Sequence, residues 1–262
     1  MSRHVLITGA CGGIGRVLCQ RFCASGDIVY AQDLAGPALT QLVAELNLAY
    51  QRHHPEPVAH AIAADLCQPA ALNAALAEAA GKIEVLVANA GAATDLTLQQ
   101  TSWAGWQADI NLNLHGTFQC VEAVRGGMQA RGSGAIVMIG SVNGLHALGH
   151  PAYSAAKAAL ISYTKSLALE LGKFGIRSNI VCPGTVKTQA WQARVEKNPQ
   201  VFDDLKKWYP LGDFATPDDI ADAVQFLASP AARVITGVVL PVDGGLMAGN
   251  KPMAQELTQQ DW

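Results

Sequence analysis

Short apolar runs alternate along the chain with longer Ala-rich segments in which apolar residues recur at helical spacing. Several apolar runs are nearly continuous, as expected for strands that are buried on both faces of a sheet. The predicted strands are His4–Thr8, Ile28–Gln32, Val58–Ala63, Val85–Asn89, Ala135–Ile139, Ser178–Cys182 and Val238–Val242. The predicted helices are Gly13–Ser25, Pro37–Tyr50, Pro69–Ala80, Ser102–Arg131, Tyr153–Phe174 and Pro217–Ala228. This alternation predicts parallel strands joined by right-handed crossover helices.

One segment interrupts the alternation. Residues 188–216 are polar and aromatic, and the segment is long for a connection between a strand and a helix. Connections of this length in compact domains are usually lids or binding loops, although a plain surface insertion is the alternative. The chain has no internal repeat and no low-complexity linker. We therefore expect one domain over residues 1–262, with 188–216 as a lid over the substrate.

The composition of the chain indicates which classes of binding partner can be expected. Half of the 262 residues are hydrophobic, so the chain can bury a large core. Its 21 acidic and 18 basic side chains give a formal net charge of -3, and no basic block offers a footprint for nucleic acid. No stretch approaches the ~20 apolar residues of a membrane span. We expect neither a nucleic-acid nor a membrane partner.

The cysteines bear on the compartment. The six cysteines form no CxxC pair, and no cluster of His, Cys and carboxylates has metal-ligand spacing. Free thiols in a reducing compartment are the simplest interpretation of this pattern. We therefore expect a cytoplasmic protein without a metal site.

A glycine-rich turn follows the first predicted strand and leads into the first predicted helix. Its sequence is TGACGGIG at residues 8–15. Glycine lets the backbone turn tightly and approach a phosphate, and the helix N-terminus adds free N–H groups and the positive end of its dipole. This strand-turn-helix context is typical of a dinucleotide-binding turn, although the glycine spacing differs from the commoner GxGxxG. The expected cofactor residues here are Gly9, Cys11, Gly12, Gly13, Ile14 and Gly15.

The second predicted strand ends beside Asp33. A carboxylate in that place can accept both hydroxyls of an adenosine ribose, and it would repel a 2′-phosphate. Gly12, Leu34 and Ala35 offer no cation to hold such a phosphate. We therefore expect NAD rather than NADP, with Asp33 and Leu34 in contact with the cofactor. A carboxylate that merely begins a loop is the alternative interpretation.

Tyr153 and Lys157 lie four residues apart at the start of a long predicted helix, so they share one face of it. The pair alone occurs by chance in many helices. A phenol has a reference pKa of ~10 and is a poor base near neutral pH, but a nearby ammonium group favours the phenolate. Such a pair can exchange a proton with an alcohol or a ketone.

Two further polar residues are candidates for the same chemistry. Ser141 follows an apolar strand, where its hydroxyl can donate to a substrate oxygen that gains charge, or can simply bond local backbone. Asn113 lies inside the predicted helix Ser102–Arg131, where a buried amide satisfied within the helix is the simpler interpretation. Neither residue identifies a function on its own.

Together these motifs resemble the classical short-chain dehydrogenase/reductase family. The matching segments cover nearly the whole chain in the order of the family. They are TGACGGIG at 8–15, DL at 65–66, NAG at 89–91, NLHG at 113–116, Ser141, YSAAK at 153–157, PGTVKT at 183–188 and PVDGG at 241–245. The resemblance implies an α/β fold of the Rossmann type, a three-layer sandwich with a seven-stranded parallel sheet.

The resemblance also assigns roles. It implies that Tyr153 is the general acid/base, that Lys157 binds the nicotinamide ribose and lowers the pKa of Tyr153, and that Ser141 holds the substrate oxygen. Asn113 is implied to position a water that links Lys157 to a proton relay. The further implied cofactor contacts are Asp65, Leu66, Asn89, Ala90, Gly91, Pro183, Gly184, Val186 and Thr188. In the oxidative direction Tyr153 would take the hydroxyl proton while a hydride passes to the nicotinamide.

The substrate pocket is expected between the loop after Ser141 and the predicted lid. The substrate candidates beside Ser141 and Tyr153 are Asn143, His146, Trp191 and Arg194. Further nearby groups are His150, interpreted as an ordinary loop histidine, Trp208 and Tyr209. Polar groups and indoles favour a polyol, sugar or sugar acid over a steroid or a fatty chain. The basic residues Arg194, Lys197, Lys206 and Lys207 could attract an anionic group, or could form a solvated helix face.

The predicted helix Tyr153–Phe174 carries small or apolar residues on more than one face. One face can pack on the sheet, and a second apolar face is naturally covered by a partner subunit. The family resemblance implies a homotetramer built through this helix and the Ser102–Arg131 helix.

We therefore expect an NAD-dependent oxidoreductase that interconverts a secondary alcohol and its carbonyl. Two other functions stay open. An NADPH-dependent reductase of 3-oxoacyl thioesters would share every motif, although Asp33 and the lack of a basic residue at Gly12 speak against it. A non-catalytic dinucleotide-binding regulator belongs to another class, and the four intact candidate catalytic residues speak against it.

Overall fold

Seven parallel strands form one sheet in the computed structural model, which describes residues 2–50 and 57–260. The strands are β1 (His4–Thr8), β2 (Ile28–Asp33), β3 (Ala59–Ala63), β4 (Val85–Ala88), β5 (Gly134–Ile139), β6 (Ile176–Pro183) and β7 (Val239–Val242). Their order across the sheet is β3-β2-β1-β4-β5-β6-β7. Every predicted strand is present, with ends shifted by at most about two residues. Residues 1, 51–56, 261 and 262 of the predicted domain lie outside the described ranges.

Ten α-helices within the described residues connect and flank the strands. They are α1 (Gly13–Ala24), α2 (Pro37–Tyr50), α3 (Pro69–Leu76), α4 (Trp103–Ile110), α5 (Gly116–Arg131), α6 (Pro151–Leu171), α7 (Gln192–Lys197), α8 (Val201–Lys206), α9 (Pro217–Ala228) and α10 (Lys251–Thr258). None of the described helices is both long enough and apolar enough to cross a membrane.

Successive strand residues point into two separate cores, which explains why the strands are nearly continuous apolar runs. In β1, Val5 and Ile7 pack in the first core and Leu6 packs in the second. Helices α1, α2 and α9 cover the first core, and α3, α5 and α6 cover the second. The predicted Rossmann-type three-layer sandwich with a seven-stranded parallel sheet is confirmed.

The predicted helix Ser102–Arg131 is interrupted by one turn of π-helix at Asn111–His115, between α4 and α5. Asn113 lies in this turn and is fully buried. Its side-chain amide donates to the backbone oxygens of Ala92 at 2.7 Å and Asp109 at 2.9 Å. A π turn adds a residue to a helix without ending it. Hydrophobic periodicity does not reveal such an insertion.

The predicted helix Pro69–Ala80 is wrong at its C-terminal end, because α3 stops at Leu76. The following residues form turns, and the N–H of Ala80 still donates to the oxygen of Leu76 at 2.8 Å. These turns return the chain to the start of β4. Ile83 is fully buried beyond the helix, so the apolar pattern continues where the helix does not.

The predicted lid, residues 188–216, contains α7, α8 and a turn of 3-10 helix at Gln189–Trp191. The two α-helices have six residues each, which is too short for a periodic apolar pattern. A further helix, α10, follows β7 and was likewise not predicted.

Candidate active site

The carboxyl ends of β1 and β4 open a large cleft. The strand order reverses at this point, because β1 pairs with β2 on one side and with β4 on the other. In doubly wound sheets the connections from two such strands leave on opposite faces and open a crevice between them. The cleft has a volume of about 940 Å³, and every residue that the sequence analysis assigned to the cofactor lines it.

The glycine turn forms one wall of the cleft. Gly9 has a φ of +62°, and a Cβ there would lie 2.8 Å from the Cα of Ala90. A Cβ on Gly15 would overlap the carbonyl oxygen of Gly9. Helix α1 begins at Gly13 and has no side-chain cap at its N-terminus. The turn can therefore bring backbone N–H groups close to an anion.

The start of the lid packs on this turn. A Cβ on Gly13 would lie 2.8 Å from the Cγ2 atom of Thr188. Glycine is the residue that lets the lid approach the turn this closely. The close contact places the predicted phosphate-binding and nicotinamide-binding segments beside each other.

Asp33 lies at the end of β2 and faces the same cleft. Its Oδ2 accepts a hydrogen bond from the N–H of Cys11 at 2.8 Å, and its Oδ1 accepts one from the N–H of Leu34 at 2.8 Å. Each carboxylate oxygen can accept a second hydrogen bond. Asp33 thus fixes the glycine turn and retains acceptor capacity. Among the described residues that line the cleft, Lys157 is the only basic one.

Asn89 ties the fourth strand to the first. Its side-chain amide donates to the backbone oxygens of Thr8 at 2.9 Å and Gly9 at 3.1 Å. The hydroxyl of Thr8 accepts hydrogen bonds from the N–H groups of Asn89 and Ala90, both at 3.0 Å. These bonds hold the two strand ends together beneath the cleft.

Tyr153, Lys157 and Ser141 converge at the other end of the cleft. Helix α6 carries the first two, and Lys157 Nζ lies 5.4 Å from the centroid of the Tyr153 ring. Ser141 follows β5 and lines the same part of the cleft as Tyr153, and its hydroxyl accepts a hydrogen bond from the N–H of Asn143 at 3.1 Å. Lys157 Nζ donates to the backbone oxygen of Ile139 at 2.8 Å. One helix and one strand end therefore bring together three of the predicted catalytic side chains.

Burial shifts the pKa values of both titratable groups in this cluster. Lys157 is 2% exposed, and its burial lowers the pKa of the ammonium group to about 8. Burial also raises the pKa of Tyr153 above its usual value, although the nearby hydroxyl of Ser141 works in the opposite direction. The expected net lowering of the Tyr153 pKa is therefore not produced by the protein groups alone. A phenolate needs further positive charge, which an oxidised nicotinamide ring can supply.

Asn113 lies directly behind the wall of the cleft. A Cβ on Gly91 would lie 2.6 Å from Asn113 Oδ1 and 3.1 Å from Lys157 Nζ. Asn113 Oδ1 is buried and has no hydrogen-bond partner among the described residues. Buried polar atoms are normally paired, with protein or with water. An orphaned acceptor beside Lys157 is compatible with a water-mediated link between the two side chains.

A second cavity of about 760 Å³ adjoins the cleft, and Gly184 and Trp191 line both. Three segments form its walls: the loop after β5, the lid, and the segment after β7. The predicted substrate residues that line it are Asn143, His146, Trp191 and Arg194, whereas Ser141 and Tyr153 line the first cleft.

Some predicted polar groups in the second cavity are already engaged. The amide of Asn143 donates to the backbone oxygen of Gly149 at 3.2 Å and to the hydroxyl of Ser154 at 3.2 Å. Tyr209 is 3% exposed and donates to the hydroxyl of Thr185 at 2.8 Å. These two side chains hold the walls in shape.

The four basic residues of the lid lie in different surroundings. Arg194 lines the second cavity. Lys206 pairs with Asp203 at 3.0 Å on the exposed surface. Lys197 and Lys207 are not among the residues that line either cavity. Arg194 therefore lies where it could contact a substrate, whereas none of the three lysines lines either cavity.

His150, interpreted as an ordinary loop histidine, lines the second cavity, and its Nε2 lies 3.0 Å from Arg194 Nη2. The sequence analysis also missed one wall of the second cavity, which is formed by Leu246, Met247 and Asn250. No polar motif marks this wall. Its position directly after the PVDGG segment was the only available signal.

Comparison with known proteins agrees with this architecture. A family model described as Enoyl-(Acyl carrier protein) reductase matches residues 9–247. The crystal structure of an oxidoreductase of the short chain dehydrogenase/reductase family from Burkholderia thailandensis is similar with a TM-score of 0.93 and 57% sequence identity. That similarity covers 100% of this chain and 99% of the other.

Curated relatives differ in the substrates that their names give. The (2S)-[(R)-hydroxy(phenyl)methyl]succinyl-CoA dehydrogenase subunit BbsD of Thauera aromatica is 38% identical over 95% of this chain and 98% of its own length. Galactitol 2-dehydrogenase (L-tagatose-forming) of Cereibacter sphaeroides is 36% identical over 91% of this chain and 92% of its own length. This chain belongs to the short-chain dehydrogenase/reductase family and is an oxidoreductase that acts on CH–OH groups.

Proposed function

We propose that this oxidoreductase uses NAD to interconvert a secondary alcohol of the polyol, sugar or sugar-acid class and its carbonyl. One observation carries the proposal: Ser141, Tyr153 and Lys157 share a cleft with the glycine turn and Asp33. Groups suited to moving a proton thus lie in the same space as groups suited to holding a dinucleotide.

The catalytic roles follow from the position of each group. Tyr153 takes the proton of the substrate hydroxyl at its phenol oxygen, and returns it in the reductive direction. Ser141 donates to the substrate oxygen as that oxygen gains charge. Lys157 favours the phenolate through its ammonium charge and contacts the nicotinamide ribose. Asn113 joins Lys157 to a proton relay through water.

The lining of the cleft fits NAD. The glycine turn and the N-terminus of α1 suit the pyrophosphate, and Asp33 suits the adenosine ribose. Asp65 and Leu66 would hold the adenine, Asn89, Ala90 and Gly91 would contact the cofactor after β4, and residues of the segment from Pro183 to Thr188 would hold the nicotinamide, since all of these positions except Thr185 and Lys187 line the cleft. Bound NAD would supply the hydride acceptor, and NADH the donor.

Polar groups set into a largely apolar wall of the second cavity support the substrate class. Its lining combines His146, Thr185 and Arg194 with the indoles of Trp191 and Trp208. Such a lining suits a hydroxylated small molecule better than a fatty chain. The name of galactitol 2-dehydrogenase gives a polyol as the substrate of that relative.

The two alternatives have weaker support. The name of the Thauera relative gives a CoA thioester as its substrate. A reductase of acyl thioesters therefore remains an alternative function. An NADPH-dependent reductase would need a cation for the 2′-phosphate near Asp33. A non-catalytic regulator would have no use for the cluster of Ser141, Tyr153 and Lys157.

We also propose that residues 1–262 form one domain, because one sheet supports both cavities. The proposed assembly is a homotetramer formed through α5 and α6. The proposed location is the cytoplasm, on the ground that all six cysteines are unpaired.

The cofactor preference is tested by kcat/KM for NAD and for NADP with the same alcohol, chosen from polyols, aldoses, sugar acids and aryl alcohols. We expect the parent to prefer NAD by at least about 100-fold, since Asp33 repels the 2′-phosphate. Asp33→Asn should reduce this preference by roughly 10-fold or more, because the amide loses the charge that repels the 2′-phosphate, and its one oxygen can still accept one of the two backbone N–H bonds that Asp33 accepts.

The matched control for this substitution is Asp65→Asn, which removes a carboxylate from the adenine side of the same cleft. It should leave the ratio of NAD to NADP activity unchanged. A parent enzyme that prefers NADP would contradict the cofactor assignment. A protein that binds NADH but oxidises none of the alcohols would contradict the proposed activity.

A further inference from the structure

The second cavity has no acidic side chain among the described residues that line it. The basic side chains among the described residues that line it are His146, His150 and Arg194. Arg194 is therefore the one permanently charged group in a space bounded by apolar, aromatic and neutral polar residues. A guanidinium group stays protonated under all ordinary conditions.

Arg194 is held in place without a counter-charge. Its guanidinium carbon lies 4.9 Å from the centroid of the Trp191 ring, within the range of a cation–π contact. Its Nη2 lies 3.0 Å from Nε2 of His150. No carboxylate of the described residues pairs with it at ion-pair distance. The side chain is thus oriented by two neutral rings.

His150 is fixed from the other side. Its Nδ1 lies 3.0 Å from the backbone oxygen of Asp95, and only an N–H can bond to a carbonyl oxygen. Nδ1 therefore carries the proton, and the bare Nε2 accepts a hydrogen bond from Arg194. The backbone of His150 has a φ of 51°, and its N–H donates to the oxygen of Leu96 at 3.0 Å. The two hydrogen bonds of its ring nitrogens fix the direction of the ring.

His150 also lies close to the proposed catalytic residue Tyr153. The rings of His150 and Tyr153 lie edge to face with their centroids 6.3 Å apart. A small molecule whose alcohol oxygen contacts Tyr153 and Ser141 would extend past His150 toward Arg194. His150 occupies one side of the guanidinium, and the remaining N–H groups are free to bind an oxyanion in two-point fashion.

We infer that Arg194, oriented by His150 and Trp191, binds a terminal oxyanion of the alcohol substrate. The oxyanion is a carboxylate, sulfonate or phosphate, which share the ability to accept two parallel N–H bonds from a guanidinium. This inference rests on the proposed function, because it specifies the substrate of the same site. It makes Arg194 a specificity-determining residue and His150 its positioning residue.

The test uses three pairs of secondary alcohols that differ in one charged group. The pairs are gluconate with glucitol, 2-hydroxypropane-1-sulfonate with propan-2-ol, and glycerol 3-phosphate with glycerol. We measure kcat/KM with NAD for each member. We expect at least one charged member to exceed its neutral partner by roughly 10-fold to 100-fold, as a charge-assisted hydrogen bond allows. The pair with the largest ratio identifies the oxyanion.

Three variants locate the effect. Arg194→Met keeps much of the apolar stem and should bring that ratio close to one, mainly through the KM of the charged member. Lys206→Met removes one positive charge from the exposed side of the lid and should leave the ratio unchanged. His150→Asn keeps a residue that tolerates a positive φ, and should raise the KM for the charged member by more than it raises the KM for the neutral member.

A ratio of one or less for all three pairs in the parent enzyme, or an unchanged ratio in Arg194→Met, would overturn the inference. Failure of the proposed function looks different, since no alcohol of either kind would then be oxidised. In that case calorimetry of the NADH-loaded protein with gluconate, 2-hydroxypropane-1-sulfonate and glycerol 3-phosphate still tests the oxyanion site. Binding to the parent that is lost in Arg194→Met supports the oxyanion site, and equal or absent binding in both rejects it.

Discussion

Lys157 is the residue on which burial and charge conflict most directly. It is 2% exposed, and the hydrogen bond of its ammonium group goes to the backbone oxygen of Ile139 rather than to a carboxylate. Burying an unpaired charge costs free energy, which appears as the lowering of its pKa to about 8. A charged lysine in this place is a cost to the fold, which agrees with the role proposed for Lys157 beside Tyr153.

The phenol of Tyr153 provides the most direct residue-scale prediction. Tyr153→Phe removes the proton-transfer group and leaves the ring that packs in the cleft. We expect kcat to fall by at least about 100-fold, with NADH affinity within a few-fold of the parent. Steady-state rates and a fluorescence titration with NADH measure the two quantities.

The control for this substitution is Tyr163→Phe, ten residues further along α6. The hydroxyl of Tyr163 is buried without a hydrogen-bond partner among the described residues, so its removal should leave kcat unchanged. Turnover by Tyr153→Phe near that of the parent would rule out the assigned role of the phenol.

The pKa of Lys157 predicts a pH-dependent change in stability. The folded-state pKa of about 8 lies below the ordinary value of 10.5, so the unfolded chain holds a proton that the folded protein has released between these pH values. Stability contributed by Lys157 therefore rises with pH across this window, and the penalty is fully present below it. Lys157→Met removes this dependence.

Between pH 7 and pH 10, we expect the unfolding free energy of the parent to increase relative to that of Lys157→Met by up to about 3 kcal/mol. Urea unfolding at several pH values measures it. Lys165→Met, an exposed position on the same helix, should show no such shift. Parallel pH curves for the parent and Lys157→Met would show that the lysine does not titrate as its burial implies.

At the scale of elements, the π turn between α4 and α5 is the feature that completes the active site. It lets one helix continue past the sheet while Asn113 reaches the loop at Ala92. The hydroxyl of Thr117 supports the turn by donating to the backbone oxygen of Asn113 at 2.9 Å. The geometry of a single turn therefore decides whether an amide oxygen lies beside Lys157.

Substitution of Asn113 tests the role of the π turn. Asn113→Ala should reduce kcat by at least about 10-fold, because Lys157 loses its link to the proton relay. NADH affinity should change less than kcat. His115→Ala alters an exposed side chain of the same π turn and should leave both values unchanged. Equal losses of NADH affinity and kcat in Asn113→Ala would point to a structural role only.

At the scale of the whole molecule, the outer surface of α5 and α6 carries exposed apolar side chains. Phe118 on α5 is 44% exposed, and Leu169 on α6 is 85% exposed. The ring of Phe118 lies 6.0 Å from that of Tyr163, so apolar surface continues from one helix to the other. Apolar surface shared by two neighbouring helices favours contact with another subunit.

The proposed tetramer makes this surface testable. Light scattering after size exclusion should give four subunits for the parent. The double substitution Phe118→Glu and Leu169→Glu should give a smaller species, because charges would be buried in the interface. Leu48→Glu on α2, 80% exposed in the opposite layer, is the control and should not change the mass. A monomeric parent, or an unchanged tetramer in the double variant, would contradict the proposed interface.

The strands could be predicted because each is a short apolar run between turn residues, a local property. The ends of α3 and the short helices of the lid could not. At the end of α3, Ile83 stays buried although the helix has stopped. In α7 and α8 six residues are too few to show a period. In both cases long-range packing, rather than local preference, decides the backbone.

The sequence by itself determined the order of the elements, the parallel sheet, the glycine turn and the Tyr153–Lys157 face of α6, because each depends on residues that are near one another in the chain. Only the tertiary structure decided the surroundings of Arg194. His150 lies 44 residues away from it in sequence, and the two meet because the loop after β5 and the lid pack across the same strand ends. Local patterns fix the elements, whereas a contact between distant loops depends on how the sheet and its helices fold together.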